Sequence, residues 1–270
     1  MQPAEVTPAV TLAGVTFSYP QTLALAGIDL EVPSGSYCGI VGPNGSGKTT
    51  LAYLISGVLK PTSGTVDTKG RRVGLVLGNP ANQIVSLVVE EDVAFGPENL
   101  GLPAFEIDRR VTRSLEAVHC QHLRHSLTSE LSGGQLSKIV YAGQLAMEVD
   151  VLVLDEGTAM LDPASRSQVL DQIRELNATL KTTVIHITHR LDDPSAADMV
   201  LVMVGGKIVH RATGAIELAR KASELAGAGV EAGHEIVYRC FLADMGIEEE
   251  DLEKATELLA ERLRQARRCR

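Results

Sequence analysis

The chain has 270 residues, 44% hydrophobic and 22% charged, which suffices for one good core with a small appendage and excludes a disordered polymer. A formal net charge of −9 excludes a general nucleic-acid binder, which needs a basic face to neutralise phosphates, so no nucleic-acid partner is expected. Cys38, Cys120, Cys240 and Cys269 are scattered, with no C-x-x-C pair and no histidines at zinc spacing, and fit a reducing compartment. MQPAEVTPAV has no basic segment followed by an apolar run, so no signal peptide is expected. The most apolar stretches, VDVLVLD and MVLVMVGGKIV, fall short of the roughly 18 residues that a spanning helix needs.

In chain order, VTLAGVTFSY and IDLEV alternate apolar and polar residues as half-buried strands do. The strand YCGIVG then leads into GPNGSGKTT, and TTLAYLISGVL follows at helical spacing until the breaker cluster KPTSG. The apolar strands RVGLVL, VDVLVLD and TTVIHIT come next, separated by helical stretches near residues 108–120, 133–147 and 164–180. Strands alternating with helices predict a buried, largely parallel sheet. From about Ile84 to Glu130 the rhythm breaks into polar, proline-punctuated sequence, predicting a helical insert that stands off the sheet. In EEEDLEKATELLAERLRQARRCR, residues Leu252, Ala255, Leu259 and Leu263 share one helix face. Residues 1–212 are therefore expected to form one domain, with a helical subdomain at about 84–134, and residues 213–270 a helical C-terminal extension. No internal repeat is evident.

GPNGSGKT matches G-x-x-x-x-G-K-[ST] between a strand and a helix. In such a loop, Gly42 to Gly47, the glycines let the backbone N–H groups of Asn44, Gly45, Ser46 and Gly47 turn inward on a phosphate chain, with Pro43, which has no N–H, shaping the turn; the helix opening at Lys48, Thr49 and Thr50 adds unpaired N–H groups and a favourable dipole. Lys48 supplies a point charge for the β and γ phosphates of ATP, and the Thr49 hydroxyl is a candidate ligand of Mg²⁺. The strand VLVLDE ends in two carboxylates: Asp155 to reach the Mg²⁺ shell and Glu156 to orient and deprotonate an attacking water. In VIHITHR, His189 lies at the equivalent edge of the sheet, where it either senses the γ phosphate or is a structural or solvated histidine.

A second glycine-rich cradle is LSGGQ, ahead of the helical run LSKIVYAGQLAM. Ser132, Gly133, Gly134 and Gln135 there make another anion site at a helix N-terminus. If the insert holds this cradle away from Lys48, one phosphate can meet both cradles only between two chains. A head-to-tail pair satisfies that requirement, with each nucleotide clamped between the loop of one subunit and the LSGGQ of the other.

These motifs, GPNGSGKTT, LSGGQ, VLVLDE, MLDP and ITH in that order, resemble the ATP-binding cassette (ABC) ATPases over about residues 10–212. NPANQIVSLVVEEDVAFGPENLGLP followed by TAMLDP is similar to the energy-coupling-factor (ECF) transporter ATPases, particularly the first of their two A-type subunits. The resemblance implies an α/β fold of P-loop NTPase type, a largely parallel sheet with an antiparallel β subdomain, a helical insert and a small helical C-terminal extension. It implies ATP and Mg²⁺ as cofactors, and a second ABC ATPase subunit, a membrane T-component and a substrate-binding S-component for vitamins or metal ions as partners. The implied location is the cytoplasmic face of the cell membrane, as a peripheral protein. It makes Tyr19 an adenine-stacking aromatic, with an ordinary strand aromatic as the alternative. It makes Asp162 a loop residue communicating across the dimer and His189 the switch histidine.

The chain departs from the family pattern at several positions. After RVGLV the family usually reads F-Q-N-P, where its glutamine contacts Mg²⁺, the lytic water and the membrane partner. Here Leu77, Gly78, Asn79 and Pro80 stand, and Gln83 lies further on. Leu136, Ser137 and Lys138 follow LSGGQ in place of a more basic sequence, Gly157 replaces a proline or alanine, and Arg190 a frequent aspartate. With general base, magnesium ligands and lysine all in place, an active and slow ATPase is expected. Two rival readings stay open: a nucleotide-binding half with weakened catalysis in a heterodimer, and a soluble ABC ATPase acting on DNA or the ribosome. Five arginines among the last ten residues fit a solvated helix, a dimer contact or attraction to anionic lipid.

Overall fold

The computed structural model describes residues 7–158, 161, 163–191, 193–194, 197–214, 217–218 and 225. Strands β1 (Pro8–Tyr19), β2 (Thr22–Pro33) and β4 (Ser63–Asp67) form a three-stranded antiparallel sheet in the order β2-β1-β4. A second sheet runs β5-β6-β7-β3-β8-β9, built from β3 (Tyr37–Val41), β5 (Val73–Leu77), β6 (Val151–Asp155), β7 (Thr183–Thr188), β8 (Met199–Val204) and β9 (Lys207–Ala212). All its pairings are parallel except β8 with β9. The greasy MVLVMVGGKIV is this last hairpin, turned by Gly205 and Gly206, both at positive φ as a two-residue hairpin turn requires. No helix among the described residues is long and apolar enough to cross a membrane.

Strands β3, β6 and β7 are buried at every position, which explains their unbroken apolar sequence. Alternate side chains serve two cores. Val151 and Val153 join Ile185, Ile187, Leu201 and the antiparallel sheet around helix α1 (Lys48–Ile55). Leu152 and Leu154 join Val184, Val202 and the helical side of the molecule. There, α2 (Val89–Asn99), α3 (Ala104–Ala117) and α4 (Gly133–Ala146) pack on one another, and α4 reaches the β5 edge. Helix α5 (Pro163–Leu180) completes this side, with Ile173 in the same core.

The antiparallel subdomain, the mainly parallel sheet and the helical insert match the sequence expectation. Helix α2 was not anticipated, because Gly96 and Pro97 within it imitate a breaker. Pro97 is near the C-terminal end, where its missing N–H costs one bond only. The postulated apolar face from Leu252 to Leu263 lies outside the described residues. Leu218 and Leu225, early in the expected extension, are buried in the helical-side core.

Candidate functional site

Parallel strands deliver their C-terminal ends to one edge, where such folds bind ligands. Gly42 follows β3, Glu156 follows β6 and His189 follows β7. Because β6 neighbours β7 and β7 neighbours β3, these three ends lie side by side.

The loop after β3 is wound tightly against its surroundings. A Cβ at Gly42 would lie 2.2 Å from the Met203 carbonyl oxygen and 2.9 Å from Ser46 Oγ. Gly47 has φ 99°, and a Cβ there would meet the Ala24 oxygen at 2.6 Å. Glycine is required at both positions, by contact and at Gly47 also by backbone conformation. Lys48 is buried, and its ammonium donates to the carbonyls of Gly42 at 2.8 Å and Pro43 at 2.9 Å. Burial lowers its pKa, opposed by the charges of Glu156 and Asp155. Asn44 and Gly45 are exposed at the loop tip, whereas Ser46 is buried with its hydroxyl unpartnered among the described residues. Tyr19 is 42% exposed; its hydroxyl lies 3.5 Å from Thr50 Oγ1, and its ring packs edge-on to Phe17. An open aromatic face thus stands beside the first turn of α1.

Asp155 ends β6 beneath Lys48. Burial raises its pKa, offset by a hydrogen bond from Thr49 and the charge of Lys48, while Glu156 adds to the rise. Its Oδ1 is buried without a hydrogen-bond partner among the described residues. A buried, unpaired carboxylate oxygen beside a threonine hydroxyl fits a hard cation that takes oxygen ligands. No group of three His, Cys, Asp or Glu able to hold a metal exists among the described residues. Glu156 has φ 54°, the left-handed region, at a cost of roughly 1–2 kcal/mol for a residue with a side chain. Its N–H donates to the Ile187 carbonyl at 2.9 Å, and its Oε1 lies 3.3 Å from His189 Nδ1. Lys69, His119, Glu148 and Lys181 share that region at turns and helix ends; Glu156 is strained at a strand end among ionisable groups.

The backbone beyond His189 is held by a device that sequence reasoning missed. Thr188 Oγ1 donates to Asp193 Oδ2 at 3.0 Å and accepts from the Arg190 N–H at 3.1 Å, while Arg190 pairs with Asp193 at 3.6 Å. An acid four residues after the histidine in THRLDD was the available signal. Gln83 is fully committed elsewhere: its Oε1 accepts from the Leu77 N–H at 2.6 Å and its Nε2 donates to the Leu75 carbonyl at 2.9 Å. It therefore covers the free edge of β5 and does not stand in for the glutamine absent at Gly78. Gly78 itself touches the site, since a Cβ there would lie 3.2 Å from the Glu156 carbonyl oxygen.

LSGGQ opens α4 as a complete capping box. The Gln135 N–H donates to Ser132 Oγ at 3.3 Å, and the Ser132 N–H donates to Gln135 Oε1 at 2.8 Å. Ser132 and Gly133 are exposed, Gly134 and Gln135 partly so, and a Cβ at Gly133 would meet nothing within 4 Å. Helix α4 lies against the β5 edge, and β5 is three strand spacings from β3, roughly 14 Å. Among the described residues no hydrogen bond links this cradle to the phosphate loop. Asp162 lies outside the described residues.

Such a loop, strand-end acids and a capped glycine-rich helix start define the nucleotide-binding cassette of a transport ATPase. A family model described as ABC transporter matches residues 25–159, and the chain belongs to that family. Its activity is ATP hydrolysis coupled to transport. Its relatives include the Energy-coupling factor transporter ATP-binding protein EcfA1 of Symbiobacterium thermophilum, 46% identical over 223 residues that cover 74% of this chain and 78% of that protein. The Cobalt import ATP-binding protein CbiO of Syntrophus aciditrophicus is 45% identical over 199 residues, covering 69% and 71%. Among solved structures, cbiO1 from Clostridium perfringens, part of the ABC transporter complex cbiONQ, matches with a TM-score of 0.72 at 32% identity, covering 82% of this chain and 97% of that one.

Proposed function

We propose that the chain is the ATP-binding and ATP-hydrolysing subunit that energises a membrane importer of the energy-coupling-factor type for vitamins or metal ions. The observation that carries the catalytic part is the convergence of Lys48, Thr49, Asp155, Glu156 and His189 at neighbouring strand ends. The importer type is supported by relatives named for energy-coupling factor transport and for cobalt import.

In this reading the loop N–H groups from Gly42 to Gly47 and the Lys48 ammonium hold the phosphates, and Tyr19 offers its open face to adenine. Thr49 and Asp155 would hold Mg²⁺, which would supply positive charge to offset that of the phosphates. Glu156 takes a proton from the water that attacks the γ phosphorus, and the bond to the β–γ bridging oxygen breaks, leaving ADP and phosphate. His189, held against the Glu156 carboxylate, orients that base and meets the γ phosphate. The exposed Ser132 hydroxyl and the N–H groups of Gly133 and Gly134 serve the nucleotide of a second ABC ATPase subunit in a head-to-tail pair, with Asp162 at the contact between subunits. The pair docks peripherally, at the cytoplasmic face, on a membrane T-component that serves an S-component.

Glu156→Gln tests the centre of this reading. Turnover falls by about 10² or more while ATP binding persists; turnover at the wild-type rate removes Glu156 as base. The absent side chain at Gly78 favours one second reading, a catalytically weakened half of a heterodimer. Under it, Gly78→Gln raises turnover once the Glu156 backbone gives by a few tenths of an ångström. An unchanged rate counts against it.

A further inference from the structure

Behind Glu156 the chain carries Gly157, and a side chain of the helical core takes the space beside it. A Cβ at Gly157 would lie 2.9 Å from Tyr141 Oη and 3.2 Å from Val76 Cγ1, with Tyr141 Cζ at 3.9 Å. The phenol oxygen thus occupies the space that a side chain at 157 would take. Tyr141 is 4% exposed, lies in the helical-side core, and its hydroxyl has no hydrogen-bond partner among the described residues. Leaving such a group unpaired costs about 1–3 kcal/mol, so a phenylalanine would suit a purely structural position better. Its ring has few rotamers and is enclosed on α4, so it cannot swing aside.

We propose that Tyr141 is a positioning residue for hydrolysis: its hydroxyl bears on the backbone at Gly157 and so fixes where Glu156 presents its carboxylate. The proposal rests on the role of Glu156 given above. Two features converge on it. Glu156 sits at φ 54° with its N–H bonded to Ile187 and the buried Gly157 and Thr158 directly after it, so a support under Gly157 bears directly on a strained residue. Tyr141 also stands on the helix that LSGGQ opens, six residues after Gln135 and about 9 Å along the axis. A shift of α4 when LSGGQ engages phosphate is thereby delivered to the base of the same chain. Gly78, also beside Glu156, has no side chain with which to do so.

A double-variant cycle on the full chain tests this, with kcat, KM and urea midpoints measured for Tyr141→Phe, Gly157→Ala and both together, beside Glu156→Gln. Tyr141→Phe removes the support and lowers kcat by about fivefold, and Gly157→Ala drives the backbone off the phenol oxygen and lowers it by about tenfold or more, both with KM within about twofold. The double variant returns kcat to within about threefold of wild type, because the alanine methyl refills the space of the lost oxygen. A double variant no faster than Gly157→Ala, or single variants that shift KM and spare kcat, overturns the proposal. If stability falls in the single variants and recovers in the double one while kcat never moves, Tyr141 is merely structural and the proposal also falls. Wild-type turnover in Glu156→Gln marks the other failure, that of the catalytic reading itself.

Discussion

The two glycine-rich cradles of this chain are built to different standards. At the phosphate loop every constraint is internal: Gly42 abuts the Met203 carbonyl, Gly47 abuts that of Ala24, and Lys48 closes on the loop carbonyls. At LSGGQ nothing among the described residues demands glycine at 133, where a Cβ would meet none of them within 4 Å and φ is not positive. Glycine is a poor helix residue, so helix propensity does not favour it at this exposed first turn. The first cradle is constrained from within the chain, and the second is the one that the proposed second subunit would complete.

Alanine at the two glycines should break or sharpen this contrast most strongly. Gly42→Ala forces a methyl onto a backbone oxygen and destabilises the chain by about 3 kcal/mol or more, with loss of ATP binding. Gly133→Ala leaves the urea midpoint equal or slightly raised and weakens ATP-driven association by about tenfold or more. Equal losses of stability in the two variants would erase the distinction.

The support beneath the first cradle is testable by pH. His186, on β7 beside β3, is fully buried with Nδ1 2.9 Å from Tyr37 Oη. Burial pushes its pKa down to about 4, against the pull of Asp193 and with a contribution from Arg174. Because the folded value lies below the unfolded one, this stability is complete above about pH 6.5 and is lost as pH falls towards 4, by about 3 kcal/mol in all. His186→Gln flattens that part of a urea-midpoint profile; an unchanged slope refutes the assignment.

Asp155 gives a smaller effect of opposite sense. Its pKa is raised by burial, so its charge opposes folding at neutral pH. Asp155→Asn stabilises the nucleotide-free chain and removes the Mg²⁺ dependence of ATP affinity. A destabilised variant would show that the carboxylate is structurally paired. The smallest effect belongs to the open cradle. Ser132→Ala removes the helix cap and costs about 1 kcal/mol or less, while turnover falls further than that loss of stability explains. Turnover that merely follows stability would reduce Ser132 to a cap.

Much of the site was legible in the sequence because its chemistry is local: a phosphate loop, a strand ending in acids and a capped helix start each lie within nine residues or fewer. The sheet was legible because both-face burial writes itself as an unbroken apolar run in β6 and β7. What escaped depends on pairs distant along the chain. Gln83 covers the edge of β5, which is an edge only in the folded sheet. Tyr141 reads as one more apolar-face residue of α4 until Gly157 is seen beneath its hydroxyl. Helix α2 escaped for a local reason, since Pro97 is tolerated near a helix end that spacing alone does not fix.

The most direct measurement is the mass in solution of Glu156→Gln with ATP and Mg²⁺, alone and with any ABC ATPase that co-purifies with it, with and without Gly133→Ala. ATP is predicted to bring a second ATPase subunit onto the chain, and the alanine to weaken that association while each chain still binds nucleotide. A nucleotide-loaded chain that stays monomeric in both settings, or an assembly indifferent to residue 133, would contradict the account.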